Sequence, residues 1–288
     1  MNKNNLINKE GFFRYAMKVE YLGSLYAGSQ KQPEQRTIQS ELEAALAILI
    51  KQETKTVFSG RTDSGVHSKG QIVHFDSPFK IDTYRFLYSL NSLLPQDISI
   101  SIIKETDSEF HSQKSALSRW YRYIINNRPQ RSVWLKQSVQ IQKKLNIKEM
   151  NKALSYLTGK NDFSSFKSSN SKNPASECIM YFAKCKSKAG IIIIDFVANR
   201  FLYNMVRIIV GTLINIGKGV FPADHMLEVL NFKDRTKAGT TAKADGLIFM
   251  FVDYGEKYNS QIYNGFNNFV NKINKEAVYN ENIFCKAL

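Results

Sequence analysis

Between Glu53 and Asp76 the chain carries a single acid, Asp63, within Ser59-Gly60-Arg61-Thr62-Asp63-Ser64-Gly65-Val66-His67. A carboxylate set apart in a basic environment can serve as a nucleophile or as a general base. The two glycines allow left-handed or crowded backbone, so the loop can approach a ligand closely. Asp and Ser beside Gly are also ordinary turn chemistry, and the spacing leaves both roles open.

Arg207 is a suitable partner for such a carboxylate. It interrupts the apolar run Met205-Val206-Arg207-Ile208-Ile209-Val210, and arginine is rarely buried unless paired. On a helix, Arg200, Asn204, Arg207 and Gly211 fall along one face. That polar and small stripe suits an ion-pair seat or the wall of a site, or simply an arginine snorkelling at a helix edge. An arginine at bidentate range would lower the pKa of Asp63 and keep it ionised. The third element is Arg119-Trp120-Tyr121-Arg122-Tyr123. Strand alternation puts Arg119, Tyr121 and Tyr123 on one face and Trp120 with Arg122 on the other. Tyrosine beside arginine suits base stacking with phosphate contact, although a plain amphipathic strand has the same pattern.

Charge supports a polyanionic partner. Lys and Arg number 40 against 25 Asp and Glu, a net of +15. From Phe110 to Lys148 there are nine Lys/Arg and no acid, interleaved with Trp120, Tyr121, Tyr123 and Trp134. Cations attract phosphates and aromatic faces accept unstacked bases, which suits a nucleic acid, although a solvated basic face has the same composition and charge alone does not name the ligand. A second acid-free window, Phe196 to Ala223, holds Arg200, Arg207 and Lys218. Three cysteines without a C-x-x-C exclude a disulfide framework, and four scattered histidines give no metal-ligand spacing. The polar N-terminus is no signal peptide, and no uncharged apolar run approaches a bilayer span. A cytoplasmic protein without a metal site is expected.

These residues need elements to position them. Residues 15–21 alternate as a strand, and a Gly/Ser/Pro-punctuated loop runs from Gly23 to Arg36. Thr37 can cap a helix that carries Ile38, Leu42, Ala45, Leu46 and Leu49 on one face. Strands are expected at 54–58, 71–75 and 98–103, with a loop over Gly60–Gly70 and a helix at 83–91. The second half repeats this grammar: a strand at 117–127, a helix at 147–157 and a hairpin about Ala189-Gly190. A long helix over 201–216, a short one over 223–230 and a strand at 247–252 follow. The pattern predicts an α+β fold: a leader at 1–11, halves at 12–109 and 110–254, and a tail from 255. The tail is Asn-rich, yet it has helical apolar spacing from Ile262 to Ala277, which predicts a marginal helix or disorder.

Together the motifs resemble the bacterial tRNA pseudouridine synthase A family, over about residues 12–254. They are Gln30-Lys31-Gln32-Pro33 with Thr37-Ile38-Gln39, Gly60 to His67, Asn91 to Ile98 and Phe110-His111. Tyr121-Arg122-Tyr123, Asp162 to Phe166, Met205-Val206-Arg207 and Ala242 to Leu247 complete the series in order. Departures are Leu22 after Tyr21, Ser29 before Gln30 and Ser68 after Gly-Val-His.

The resemblance implies two ferredoxin- or RNA-recognition-like halves with antiparallel sheets about a central basic cleft. It implies a homodimer that needs no cofactor and isomerises uridine to pseudouridine at nucleotides 38, 39 and 40 of the tRNA anticodon stem-loop. It carries the catalytic aspartate to Asp63, the stacking tyrosine to Tyr121 and the aspartate-pairing arginine to Arg207. Arg61 matches an arginine that helps to hold the flipped nucleotide. Arg119, Arg122, His67 and Asn204 are expected to contact RNA. The charge and aromatics alone would equally fit a non-catalytic tRNA-binding or folding protein, and the same chemistry could act on another RNA site.

Overall fold

In the computed structural model, residues 11–169 and 174–263 are described. The expected leader (all but Gly11) and the tail beyond Tyr263 lie outside them. The described chain forms two units, 11–117 with 250–263, and 118–249.

In the first unit, strand β1 (Phe13–Tyr21) pairs antiparallel with β3 (His67–Ser77) and with β4 (Ile98–Thr106). Strand β2 (Thr56–Phe58) pairs with β3, giving the order β4-β1-β3-β2. Helices α1 (Ile38–Ile50) and α2 (Thr83–Leu93) supply the apolar cover. Tyr15, Met17, Val19 and Tyr21, the expected inner face of β1, join Leu42, Leu46 and Ile50 of α1 in one core with Val73, Phe75, Leu90 and Ile100. Full burial of each large apolar side chain contributes about 1.5–3 kcal/mol. Thr37 caps α1 in a capping box with Ser40, and Asp82 caps α2 through the amides of Tyr84 and Arg85.

The second unit repeats the connectivity. Strand β5 (Ser118–Asn126) pairs antiparallel with β9 (Ile191–Ala198), β9 with β8 (Glu177–Lys188), and β8 with β7 (Gly159–Asp162). The short β6 (Val139–Gln140) lies parallel to the end of β5. With β10 (Leu247–Asp253) the order is β10-β5-β9-β8-β7. The first unit thus sets its strands in the order fourth, first, third, second, as a ferredoxin-like half requires; in the second, β10, β5, β9 and β8 take the same places and β7 is added at the edge. Helices α3 (Ile147–Ser155), α4 (Met205–Gly217) and α5 (His225–Phe232) belong here. Ala189 and Gly190 take positive φ of 50° and 76°, the geometry of a tight hairpin turn between β8 and β9.

Four boundaries differ from expectation. The first unit keeps residues 110–117, because Phe110 is fully buried against His74 and Tyr254 and Ser112 Oγ donates to Val57 O at 2.6 Å. The chain returns to that unit within β10 and continues into α6 (Gly255–Tyr263), where Asn259 and Ile262 are buried. Helix α4 starts at Met205 rather than 201, because Asn204 sits in the left-handed region at φ 59°. Arg200 is therefore not on that helix. Strand β3 starts at His67, so the Asp63 loop is four residues shorter than its composition suggested.

Candidate active site

The Asp63 loop is held by a second loop, 22–30. The Thr62 N–H donates to Ser29 Oγ at 2.8 Å, and Thr62 O accepts the Ser29 N–H at 3.0 Å. Thr62 Oγ1 shares a 2.8 Å hydrogen bond with the buried Tyr21 hydroxyl, whose pKa burial pushes up to about 12. Tyr26 O accepts from Ser64 Oγ at 3.1 Å and from the Gly65 N–H at 3.4 Å. Gly60 O accepts from Gln71 Nε2 at 2.8 Å. The turn closes where the Val66 N–H meets Asp63 O at 3.2 Å, with Gly65 at φ 80°.

Two glycines permit this close approach. A Cβ on Gly23 would lie 2.0 Å from Val66 O. One on Gly28 would lie 2.8 Å from Thr62 O, and Gly28 has φ 113°. Asp63 is thus half-buried on a loop whose neighbours on both sides are fixed, with Arg61 exposed beside it. His67 was expected on RNA. It is instead 3% exposed, and its Nδ1 accepts the Gly23 N–H at 3.1 Å, so it braces the supporting loop.

In the second unit, Tyr121 stands opposite Phe196 in the β5–β9 ladder. Its ring meets Phe201 and Phe249 edge-on, both at 4.9 Å, and the residue is 8% exposed. Arg119 is held by Asn199 O at 2.7 Å from Nη1. Tyr123 donates its hydroxyl proton to Lys243 O at 2.8 Å; burial raises its pKa, while the Arg207 charge opposes the rise.

Arg122 departs from its expected place on RNA. It faces Asp195 across the ladder, bonds it at 2.8 and 3.1 Å, and is 2% exposed. The Trp120 indole N–H donates to the same carboxylate at 2.8 Å, and the guanidinium lies 5.0 Å from the Trp120 ring centre. The face opposite Tyr121 is therefore a buried charge cluster and not an RNA surface.

Arg207 is the third residue of α4. Its Nε donates to Ala242 O at 2.8 Å and its Nη1 to Asn204 Oδ1 at 2.9 Å, while its carbonyl accepts the Ala242 N–H at 3.0 Å. A Cβ on Gly211 would lie 1.7 Å from Thr240 O, and the Gly239 N–H reaches Thr212 Oγ1 at 2.9 Å. The stripe of Asn204, Arg207 and Gly211 is thus the seat of residues 239–242. Asn204 orients the arginine from a left-handed helix cap.

Sequence reasoning singled out Asp63 but missed its clamp of Tyr21, Gly23, Gly28 and Ser29. The signal present was a loop rich in Gly, Ser and Tyr shortly before a capped helix. No group of three or more His, Cys, Asp or Glu among the described residues could hold a metal ion. Among the same residues, no helix is long and apolar enough to cross a membrane.

The family model described as tRNA pseudouridine synthase matches residues 17–113 and 153–255. Asp63 and Arg207 lie within those stretches, and Tyr121 lies between them. The chain is 40% identical over 239 residues to "tRNA pseudouridine synthase A" of Bacillus pumilus, covering 82% of this chain and 97% of that one. It is 40% identical over 248 residues to the protein of that name from Pseudoalteromonas translucida (85% and 94% covered). For the one from Buchnera aphidicola it is 39% over 251 residues (87% and 95%). With a family match over both halves and relatives aligned over nearly their whole length, the chain belongs to the tRNA pseudouridine synthase family and is a pseudouridine synthase, an isomerase.

Proposed function

We propose that the chain converts uridine to pseudouridine in the anticodon stem-loop of tRNA, at nucleotides 38, 39 and 40, as a cytoplasmic homodimer. The observation that carries the catalytic assignment is Asp63, the lone acid of its segment, on a loop whose flanking residues are clamped by Ser29, Tyr26 and Tyr21. Catalytic groups work best when their surroundings are fixed before substrate arrives.

The reaction breaks N1–C1′, turns the uracil and joins C5 to C1′. The C5 proton is lost and N1 gains one, so the product is an isomer and no cofactor is consumed. The uridine must leave the stack, which costs a few kcal/mol. The excess of cations compensates by drawing in the phosphates. Asp63 attacks C1′ or removes a sugar proton to give a glycal; both routes use a carboxylate at this position. Arg207 is the cation that keeps that carboxylate ionised, and Asn204 and Ala242 hold it ready. Tyr121 stacks on the uracil, and its hydroxyl assists loss of the C5 proton. Arg61 and Arg119 contact the RNA.

Incubation of unmodified tRNA with the protein, followed by chemical mapping of pseudouridine, tests the reading. Modification at 38–40 is the expected result. Modification elsewhere moves the site, and none at all overturns the proposal.

A further inference from the structure

Residues 127–146 lie between the two stretches that the family model matches, and none of the roles above uses them. Their frame is firmly tied. Asn126 Nδ2 donates to Gln140 Oε1 at 2.7 Å and to Gln130 O at 3.3 Å. Asn127 Nδ2 donates to Ile141 O at 2.7 Å and to Lys143 O at 2.9 Å, while its Oδ1 accepts the Leu145 N–H at 3.0 Å. Arg128 Nε is pinned to Ala189 O at 2.8 Å, and β6 lies along the end of β5.

The framed turn displays what a core normally takes. Trp134 is 87% exposed and Val133 64%. The turn is held from within: the Trp134 N–H donates to Ser132 Oγ at 3.3 Å, and Ser138 Oγ donates to Leu135 O at 2.6 Å. Arg131 and Lys136, both exposed, flank Trp134 in the sequence, and Lys143 and Lys144 follow. No Asp or Glu stands between Glu109 and Glu149.

An indole in solvent, flanked by cations on an acid-free stretch, is complementary to a polyanion that also presents flat π faces. Single-stranded RNA is such a polymer: phosphates meet the cations and a base stacks on the ring. We infer that Trp134, with Arg131 and Lys136, is a stacking platform for an unpaired nucleotide of the RNA substrate, distinct from the uridine being isomerised. Tyr121 is 8% exposed in the β5–β9 ladder, whereas Trp134 stands in solvent on the turn that follows β5, so the two rings occupy different settings. The inference rests on the reading that the substrate is tRNA.

Trp134→Ala and Trp134→Phe test it, since an exposed side chain can be changed without disturbing the fold. Filter binding to unmodified tRNA is expected to show affinity reduced about ten-fold or more for Trp134→Ala and within about three-fold of wild type for Trp134→Phe. The loss should appear as a raised half-saturating tRNA concentration in single-turnover assays. The second tryptophan, Trp120, is buried, so the emission that RNA can quench by contact is that of Trp134, and Trp134→Ala should lose that quenching. A mixed-sequence single-stranded RNA should quench it well beyond the same RNA as a duplex.

Wild-type tRNA affinity in Trp134→Ala overturns the platform. So does a change confined to oligomeric mass, which would make the turn a contact between copies. Loss of binding to anionic vesicles with RNA affinity intact would make it a lipid contact. If the wild-type protein forms no pseudouridine in tRNA, yet single-stranded RNA quenches the emission and Trp134→Ala weakens its binding, the platform stands and the substrate reading fails.

Discussion

The Asp63 loop and strand β5 hold their functional side chains by opposite means. The loop has no core of its own, so it is held by neutral hydrogen-bond partners: Ser29 and Tyr26 on the neighbouring loop, Tyr21 of β1 and Gln71 of β3. Glycines at 23 and 28 bring the two backbones close. Strand β5 takes its geometry from its ladder with β9, and the Arg122–Asp195 pair guards that register. A slip by one residue would set Arg122 opposite Phe196 or Ile194 and leave a buried guanidinium uncompensated. It would also turn Tyr121 to the other face. Close fit is thus the vulnerable feature of the loop, and charge balance that of the strand.

The largest expected effect tests the loop at its tip. Asp63→Asn keeps the size and the turn and removes the charge. Turnover should fall at least about a thousand-fold, with tRNA binding unchanged or tighter as an anion leaves a basic surface. Single-turnover kinetics decide it, and a loss below ten-fold would remove Asp63 from the chemistry. Next comes the strand. Arg122→Met leaves Asp195 buried without its cation and should cost about 3–5 kcal/mol in urea unfolding. Arg122→Met with Asp195→Leu should recover much of that, because Arg122 Nη1 has no hydrogen-bond partner among the described residues. A single variant that costs under 1 kcal/mol would end the contrast between the regions.

Gly28→Ala probes the fit of the clamp. A methyl at positive φ, 2.8 Å from Thr62 O, must displace the loop, at a cost of roughly 1–3 kcal/mol. Turnover should drop more than tRNA affinity, and equal losses in both would argue that the clamp shapes the RNA surface instead. Arg119→Ala should weaken tRNA binding modestly and lower the slope of log affinity against log salt by about one. An unchanged slope would take this face of β5 off the RNA.

The smallest effect is in acid. Burial and the nearby Arg14 and His111 charges lower the His74 pKa from 6.5 to about 4, and its Nδ1 accepts the Ser112 N–H at 3.1 Å. The neutral form is the folded one, so its contribution is full above pH 6.5 and is lost as pH falls toward and through about 4. Thermal melts of wild type should decline over that window more steeply than those of His74→Gln.

Local pattern alone identified much of this protein. Alternation marked the inner face of β1, Thr37 marked the start of α1, Ala189-Gly190 marked a hairpin, and the order of motifs from Gln30 to Leu247 marked the family. Each depends on neighbours a few residues apart, where backbone period and turn chemistry act directly. Tertiary structure decided which polar residues are spent on the fold. Arg122 and His67 read as RNA contacts until Asp195 and Gly23, 73 and 44 residues away, took them into the interior. The stripe of Asn204, Arg207 and Gly211 read as an ion-pair seat or a site wall, and nothing in its spacing told that residues 239–242 would be seated along it. A buried charge is stabilised by whatever stands opposite it, and cross-strand partners so distant leave no periodic trace in the chain.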